Sequence, residues 1–528
     1  MDPSVAKLIP QPQPQIRRPS CPRDKIRTLA ELATICEQER HDGRVLVQAH
    51  GTFDILHLGH VRHLEAARKL GDILMVTVTA DRYVNKGPGR PVFSAELRAE
   101  MLGTLEYVDW VAINDAPDAV SAIEQIRPSI YVKGQDYQNP QGDITGKILL
   151  ELLAVKAHGG RIQFTDEVTF SSTELINRHI NVFEPHIREH LKTLRQNGGL
   201  TELRDLIESV ADYRVLIVGD AIVDEYQYVL PMHKTPKENM IATRYQDREL
   251  FAGGVFAAAN HVASFCKQVD VITCLGDFDS HEDLVRQTLK PNVNLKAFTR
   301  RGAPTTLKRR FVDPSYMRKL FEVYFMNDEP LPPDLQDDID QAIADTASSY
   351  DVVIAADFGH GLIARSSIDA LTSNSRFLAV NTQSNSANLG YNLITRYRRA
   401  DYVCIDAPEA RLAISDRLSN VGDIARRLAE DHIDCSKIII TQGKHGCVTF
   451  ERHGIVHTIP AFAKNIVDTV GAGDAFLAVT APLVAAGGRM SQIGFIGNVV
   501  GALKVEIIGH RCSIEKASLI KSIIGLLK

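Results

Sequence analysis

The stretch Gly51-Thr-Phe-Asp-Ile-Leu-His-Leu-Gly-His60 constrains this chain more than any other. The apolar run Val45-Leu-Val before it reads as a buried parallel strand ending at Gly51, and His57 and His60 then open an amphipathic helix carrying Val61, Leu64, Ala67 and Leu70. A strand that turns directly into a helix is the opening of a doubly wound α/β sheet. The two imidazoles stand at the join, where free backbone N–H groups and the helix dipole face an incoming triphosphate, and where histidines donate to oxygens whose charge grows during transfer. Gly59 lets a backbone approach closely. An isolated pair of histidines one turn apart would more simply cap a helix or bind a metal. Strand, glycine, histidines and helix in this order point instead to nucleotide chemistry, with Gly51, Thr52, Phe53 and Asp54 lining the turn.

The alternation continues. A helix from Thr28 carries Leu29, Leu32 and Ile35, and strands are expected at 45–49, 73–78, 110–113, 130–132 and 162–164, separated by helical stretches. Ligands of such a sheet bind beyond the carboxyl ends of its strands, where the His57 turn, the loop Lys86 to Arg90 and the segment Lys133 to Tyr137 all fall. Lys86 supplies a point charge and Arg90 a planar fork, a useful pair where negative charge shifts between phosphates, and Lys133 is a third basic candidate. Arg98, on the following helix, suits a structural ion pair equally well. Ser171-Ser-Thr173 before Glu174 reads as a helix N-terminus with exposed hydroxyls and N–H groups. No serine, cysteine or lysine in this half is set beside a base as a nucleophile. The chemistry implied is direct in-line attack by a substrate phosphate on the nucleotide α-phosphorus, with Mg²⁺ sharing the charge and pyrophosphate leaving.

At 528 residues the chain should hold two or three domains. Residues 1–22, with Pro10-Gln-Pro-Gln-Pro14, read as a disordered tail. The first domain is expected over 23–183 and a helical linker, broken by Asn197-Gly-Gly199, over 184–212. Arg214-Val-Leu-Ile-Val-Gly-Asp220 opens a second strand-led α/β domain over 213–528. Its signature is Asp468-Thr-Val-Gly-Ala-Gly-Asp474. Gly471, Ala472 and Gly473 leave successive N–H groups free at a helix start, an anion hole for a transferring γ-phosphoryl group, and Asp474 is placed to take a proton from a sugar hydroxyl. A plain glycine-rich turn with a capping aspartate is the simpler structural reading of the same residues.

These two strings carry a family resemblance each. Gly51-Thr-Phe-Asp54 and His57-Leu-Gly-His60, followed in order by Lys86-Gly-Pro-Gly-Arg-Pro-Val92, Glu96-Leu-Arg98, Val108-Asp-Trp110, Val132-Lys-Gly-Gln-Asp-Tyr137 and Ser171-Ser-Thr173, resemble the HxGH nucleotidyltransferases. Residues 24–179 are similar to the cytidylyltransferase-like module of bifunctional heptose-phosphate kinase/ADP-heptose synthases. Asp468 to Asp474, with Gly219-Asp-Ala-Ile-Val-Asp224, Gly253-Gly254 and Thr441-Gln-Gly-Lys-His-Gly446, resembles the ribokinase-like PfkB carbohydrate kinases. That resemblance implies a sugar facing Asp224, Gly253 and Gly254, and ATP facing Thr441, Gly443, Gly446 and Asn498. The fold implied is two α/β domains, a Rossmann-like nucleotidyltransferase followed by a ribokinase-like kinase, the reverse of the order in the familiar fused enzymes. Ala257 stands where the heptose kinases have a sugar-binding asparagine, and His360 and Gln383 stand where they have lysines, so recognition of a remote sugar phosphate is expected to be weaker.

The function implied is a sugar kinase joined to a sugar-1-phosphate nucleotidyltransferase, making an NDP-sugar such as ADP-heptose from ATP or another NTP with Mg²⁺. Two alternatives stand beside it, a kinase module reduced to binding and a CTP-dependent cytidylyltransferase fused to a kinase. No dedicated metal cage is evident. A net charge of −5 with both signs interspersed carries no footprint for nucleic acid or an anionic membrane. Eight scattered cysteines without metal spacing, and the lack of a long apolar run, imply a cytoplasmic protein with reduced thiols. We expect a homo-oligomer.

Overall fold

The computed structural model of the protein describes residues 21–84, 90–134, 147–165, 183–196, 199–235 and 237–527. These fall into two compact units, one up to residue 165 and one from residue 183 onward. In the first, five parallel strands, β1 (Leu46–Gly51), β2 (Ile73–Thr79), β3 (Trp110–Asn114), β4 (Ile130–Gly134) and β5 (Arg161–Thr165), are ordered β3-β2-β1-β4-β5. β2 is buried along its whole length, as an apolar strand covered by helices on both faces must be. Val47, Ala49, Val76 and Val78 pack against Leu64 and Leu102 on one face, while Leu46, Ile73 and Met75 pack against Leu32 and Cys36 on the other. The strand order reverses between β1 and β4, which opens the crevice where ligands of such sheets bind.

Residues 1–20 of the expected tail lie outside the described residues, whereas Pro22–Lys25 form a 3₁₀ turn. The buried Lys25, within the expected first domain, donates from it to the carbonyls of Leu105 and Val108.

The expected linker is two helices, Pro185–Gln196 and Gly199–Ser209. They bury Leu191, Leu203 and Ile207, and Arg195 donates to the carbonyl of Leu526 at 3.0 Å. Their apolar positions recur at helical spacing, so the segment packs as part of the second unit.

The second unit holds a nine-stranded sheet in the order β10-β9-β6-β13-β14-β15-β16-β17-β18. Its strands are β6 (Arg214–Gly219), β9 (Gln268–Phe278), β10 (Val293–Pro304), β13 (Val352–Asp357), β14 (Leu378–Thr382), β15 (Tyr402–Asp406), β16 (Lys437–Thr441), β17 (Cys447–Glu451) and β18 (His457–Ile459). Only the β16–β17 and β17–β18 pairs are antiparallel. A second sheet of four strands, β12 (Arg318–Phe325), β11 (Thr306–Asp313), β7 (Ala221–Lys234) and β8 (Ile241–Gly254), is paired in that order. All eight cysteines are free, and Cys36, Cys266, Cys404, Cys435 and Cys447 are buried. No helix among the described residues is long and apolar enough to cross a membrane.

Candidate active sites

In the first unit, Gly51 ends β1 and the chain turns through Thr52, Phe53 and Asp54. Phe53 adopts the left-handed φ of 49°, and its buried ring meets His60 edge-on at 5.2 Å. His57 stands at the N-cap of the helix Leu58–Arg68, and the His57 and His60 rings stack at 3.8 Å. The two expected catalytic histidines therefore form one face at the strand-to-helix join. Two other expectations change character here. Asp54 is fully buried and accepts from Arg90 Nη1 and from the Val92 N–H, both at 2.6 Å, so the arginine expected to face phosphate first neutralises this carboxylate. Arg90 Nη2 has no hydrogen-bond partner among the described residues and remains a donor beside the turn. Lys133 pairs with the buried Glu151 at 2.8 Å. Next to it, burial and the Lys133 charge push the His63 imidazole down to about 4, with Nδ1 2.8 Å from the Thr165 hydroxyl. Lys86, Ser171, Ser172 and Thr173 lie outside the described residues.

Arg98 has the structural role that was open to it. Fully buried, it donates to the carbonyls of Phe93, Thr52 and Thr79 and pairs with Asp81, which ties the histidine turn to the end of β2. Arg98→Met leaves those carbonyls without a donor. It should lower the stability of this unit by about 3 kcal/mol, the scale of breaking a buried charged network, read as a lower denaturant midpoint.

In the second unit, one cavity of about 990 Å³ lies across the carboxyl ends of β13 to β16. It gathers Asp224, Gly254, Thr441, Gly443, Gly446, the turn Gly471 to Asp474 and Asn498. Gly471 takes a left-handed φ of 74° at the N-cap of the helix Ala472–Ala485, and a Cβ there would lie 2.4 Å from His510 Cε1. A Cβ on Gly473 would meet nothing within 4 Å, so its missing side chain leaves open space at the turn. Asp474 accepts from Gln383 Nε2 at 2.7 Å, and burial raises its carboxyl. Lys504, fully buried, holds the turn from behind by donating to the carbonyls of Val470 and Gly509 at 2.8 and 2.7 Å. Asp468 receives Lys319 and Tyr226, both at 2.6 Å, from the four-stranded sheet. Burial would raise its carboxyl, but these bonds hold it at about 2.

Asp224 does not stand free in the cavity. Arg310 binds one of its oxygens and His510 Nε2 lies 3.3 Å from the other. Burial would raise this carboxyl, but the Arg310 guanidinium and the bond to His510 hold it below the usual range. Gly253 is required by that packing, because a Cβ would sit 2.1 Å from Asp224 Oδ2. Asn498 uses its amide on the carbonyls of Ile459 and Pro460, both at 3.0 Å.

The departures singled out in the sequence are also located. Gln383 faces Asp474, but Ala257 and His360 do not line this cavity. Sequence reasoning missed Lys308 and Arg310, which share one face of β11 and line the wall, and the carboxylates of Asp406 and Glu409 at the end of β15. The two-residue spacing of Lys308 and Arg310 in a strand was the signal available. Lys308 is buried under the Tyr324 ring at 5.3 Å, with no ion pair within 4 Å among the described residues. Burial lowers its ammonium. Asp406 and Glu409 accept from each other's backbone N–H, at 2.7 and 2.9 Å. Burial raises both carboxyls, with the Asp406 charge adding to the effect on Glu409.

Residues 213–517 match the pfkB family of carbohydrate kinases, and residues 49–178 match the cytidylyltransferase-like family. Among curated proteins, the bifunctional protein HldE of Syntrophotalea carbinolica is 38% identical over 163 residues, 30% of this chain and 32% of that protein. HldE of Geobacter metallireducens is 36% identical over 165 residues, 30% of this chain and 32% of that protein. The chain thus spans about a third of the length of these relatives. Among solved structures, Escherichia coli phosphofructokinase-2 aligns with a TM-score of 0.48 at 14% identity, over 60% of this chain and all of that one. A putative ribokinase from Agrobacterium tumefaciens aligns at 0.46 and 18%, over 60% and 98%.

Proposed function

This chain belongs to the pfkB family of carbohydrate kinases, and on that premise we propose that it phosphorylates a sugar at the Asp474 site and couples a sugar 1-phosphate to a nucleotide at the His57/His60 site. The product is an NDP-sugar of the ADP-heptose kind. The observation that carries the reading is the single cavity that brings the glycine turn, Asp474 and the Thr441, Gly443 and Asn498 wall together. Asp474 takes the sugar hydroxyl proton while the N–H groups of residues 471–473 receive the transferring γ-phosphoryl group. No group of three or more His, Cys, Asp or Glu among the described residues forms a metal cage. Asp406 and Glu409, two carboxylates raised by burial on the cavity wall, suit Mg²⁺, which is held by one or two carboxylates together with substrate phosphates. Bound there, it would neutralise phosphate charge. At the first site the stacked histidines and the helix start stabilise charge on the nucleotide during in-line attack, with no covalent intermediate. Incubation with each of the four NTPs and a panel of sugar phosphates, reading pyrophosphate, tests this half. ADP formation from ATP with free and phosphorylated sugars tests the other. No turnover with any sugar would reduce the second unit to a binding module.

Lys308 bears on the expectation of weak phosphate recognition, because β11 supplies a cation on the cavity wall that the positions of His360 and Gln383 lack. A buried ammonium that makes no ion pair within 4 Å among the described residues favours an anionic substrate group. We therefore expect terminally phosphorylated sugars to have the higher kcat/KM. Lys308→Met should raise their KM roughly 10- to 100-fold, the range of a charged hydrogen bond, with the KM for ATP unchanged. Equal loss for free and phosphorylated sugars would refute the assignment. Assembly as a homo-oligomer and a cytoplasmic location complete the proposal. Phe321, Val323 and Phe325 lie exposed along β12, a face that self-association would cover, and sedimentation tests this.

A further inference from the structure

His510 lies in the loop between the helices Met490–Lys504 and Lys516–Leu527, with its side chain 5% exposed on the wall of the kinase cavity. Its ring packs between two glycines. A Cβ at Gly471 would stand 2.4 Å from Cε1, so that position must lack a side chain for the imidazole to occupy its place, whereas one at Gly253 would make an ordinary contact with Cδ2 at 3.4 Å. Those two glycines belong to the two halves of the site, one opening the phosphoryl turn and one beside Asp224. Nε2 lies 3.3 Å from Asp224 Oδ2, while Arg310 takes the other oxygen of that carboxylate. The ring is thereby fixed in orientation. Nδ1 is buried and has no hydrogen-bond partner among the described residues, although it lies on the side of Gly471. A buried ring nitrogen left unpartnered costs free energy unless something else bonds it.

We infer that His510 is a further substrate-binding residue of the kinase site, oriented by Asp224 through Nε2 and presenting Nδ1 to a hydroxyl of the acceptor sugar. The inference rests on the kinase reading above. It changes the part played by Asp224, which is engaged by Arg310 and His510 and acts on the sugar at least partly through the imidazole. The ring is held by its close packing on Gly471 and by Asp224, so little rotamer freedom is lost when the contact forms.

Two substitutions separate this role from a packing role. In His510→Gln the amide can replace Nε2 and keep the bond to Asp224 but cannot replace Nδ1, whereas in His510→Asn the amide sits near the place of Nδ1. The expected result is a sugar KM raised about tenfold in His510→Gln, the scale of one lost hydrogen bond. His510→Asn should recover most of that loss, with the KM for ATP and the melting temperature unchanged in both. A His510→Gln enzyme within about twofold of wild type, or two variants equally impaired, overturns the inference. Wild-type protein that phosphorylates no sugar overturns the kinase reading as well, so the two failures are told apart by the wild-type assay. Should His510→Gln fail to fold, a crystal structure of the wild type with its sugar decides. A sugar oxygen within roughly 3.2 Å of Nδ1 supports the contact, and a sugar out of hydrogen-bond reach overturns it.

Discussion

Asp474→Asn should lower sugar phosphorylation by roughly 10²- to 10⁴-fold, the range for loss of a general base, with little change in the KM for ATP. The side chain keeps its size at the helix start, and Gln383 can still donate to its carbonyl oxygen, so the local structure has no reason to change. What disappears is the ability to accept a proton. Burial raises the Asp474 carboxyl in the folded protein, and the working form is the ionised one. Wild-type kcat/KM should therefore fall as pH drops through this raised value and recover above it. The residual activity of Asp474→Asn should lack that limb. Steady-state kinetics across pH, with ATP binding measured separately by calorimetry, checks both points. Loss of ATP binding in step with turnover would place Asp474 in binding and not in chemistry.

His60→Ala should cost nucleotidyl transfer about 3 kcal/mol of transition-state stabilisation, the scale of one removed donor at a developing charge. The stacking of His57 on His60 at 3.8 Å adds a structural component, because the alanine also removes the surface against which the remaining ring packs. His57 should thus lose order as well as its partner. Kinase activity should stay near wild type, since the motif sets fall in separate units. Assays of pyrophosphate release and ADP formation on one preparation test this. A folded His60→Ala protein silent in both reactions would refute the two-site reading.

Both proposed sites are carried by local strings because each depends on backbone that a few consecutive residues dictate. A glycine after an apolar strand, two histidines one turn apart, or a run of small residues before an aspartate specify a strand end, a helix start and a set of free N–H groups without reference to the rest of the fold. The five strands of the first unit were legible for the same reason, as apolar runs at βα spacing. Their order was not. Only the assembled sheet shows β1 beside β4, and hence the crevice at the histidine turn.

Charged side chains were legible as to type and not as to partner. Arg90 and Lys133 read in the sequence as basic residues near phosphate, and Arg98 as suiting either that or a structural ion pair. In the fold, one neutralises Asp54, one pairs with Glu151 and one braces the turn through the carbonyls of Thr52 and Thr79. The kinase cavity shows the converse, since Lys308, Arg310 and His510 share its wall with a glycine turn carried on another part of the chain. By itself the sequence determined what the local backbone can do, namely the strand-to-helix join at His57 and the glycine-rich helix start at Gly471 to Asp474, because hydrogen-bond geometry and φ preference act over a few residues. Only the tertiary structure decided which charges are spent on one another and which face the cavity, because ion pairing depends on distances through space that chain spacing does not encode.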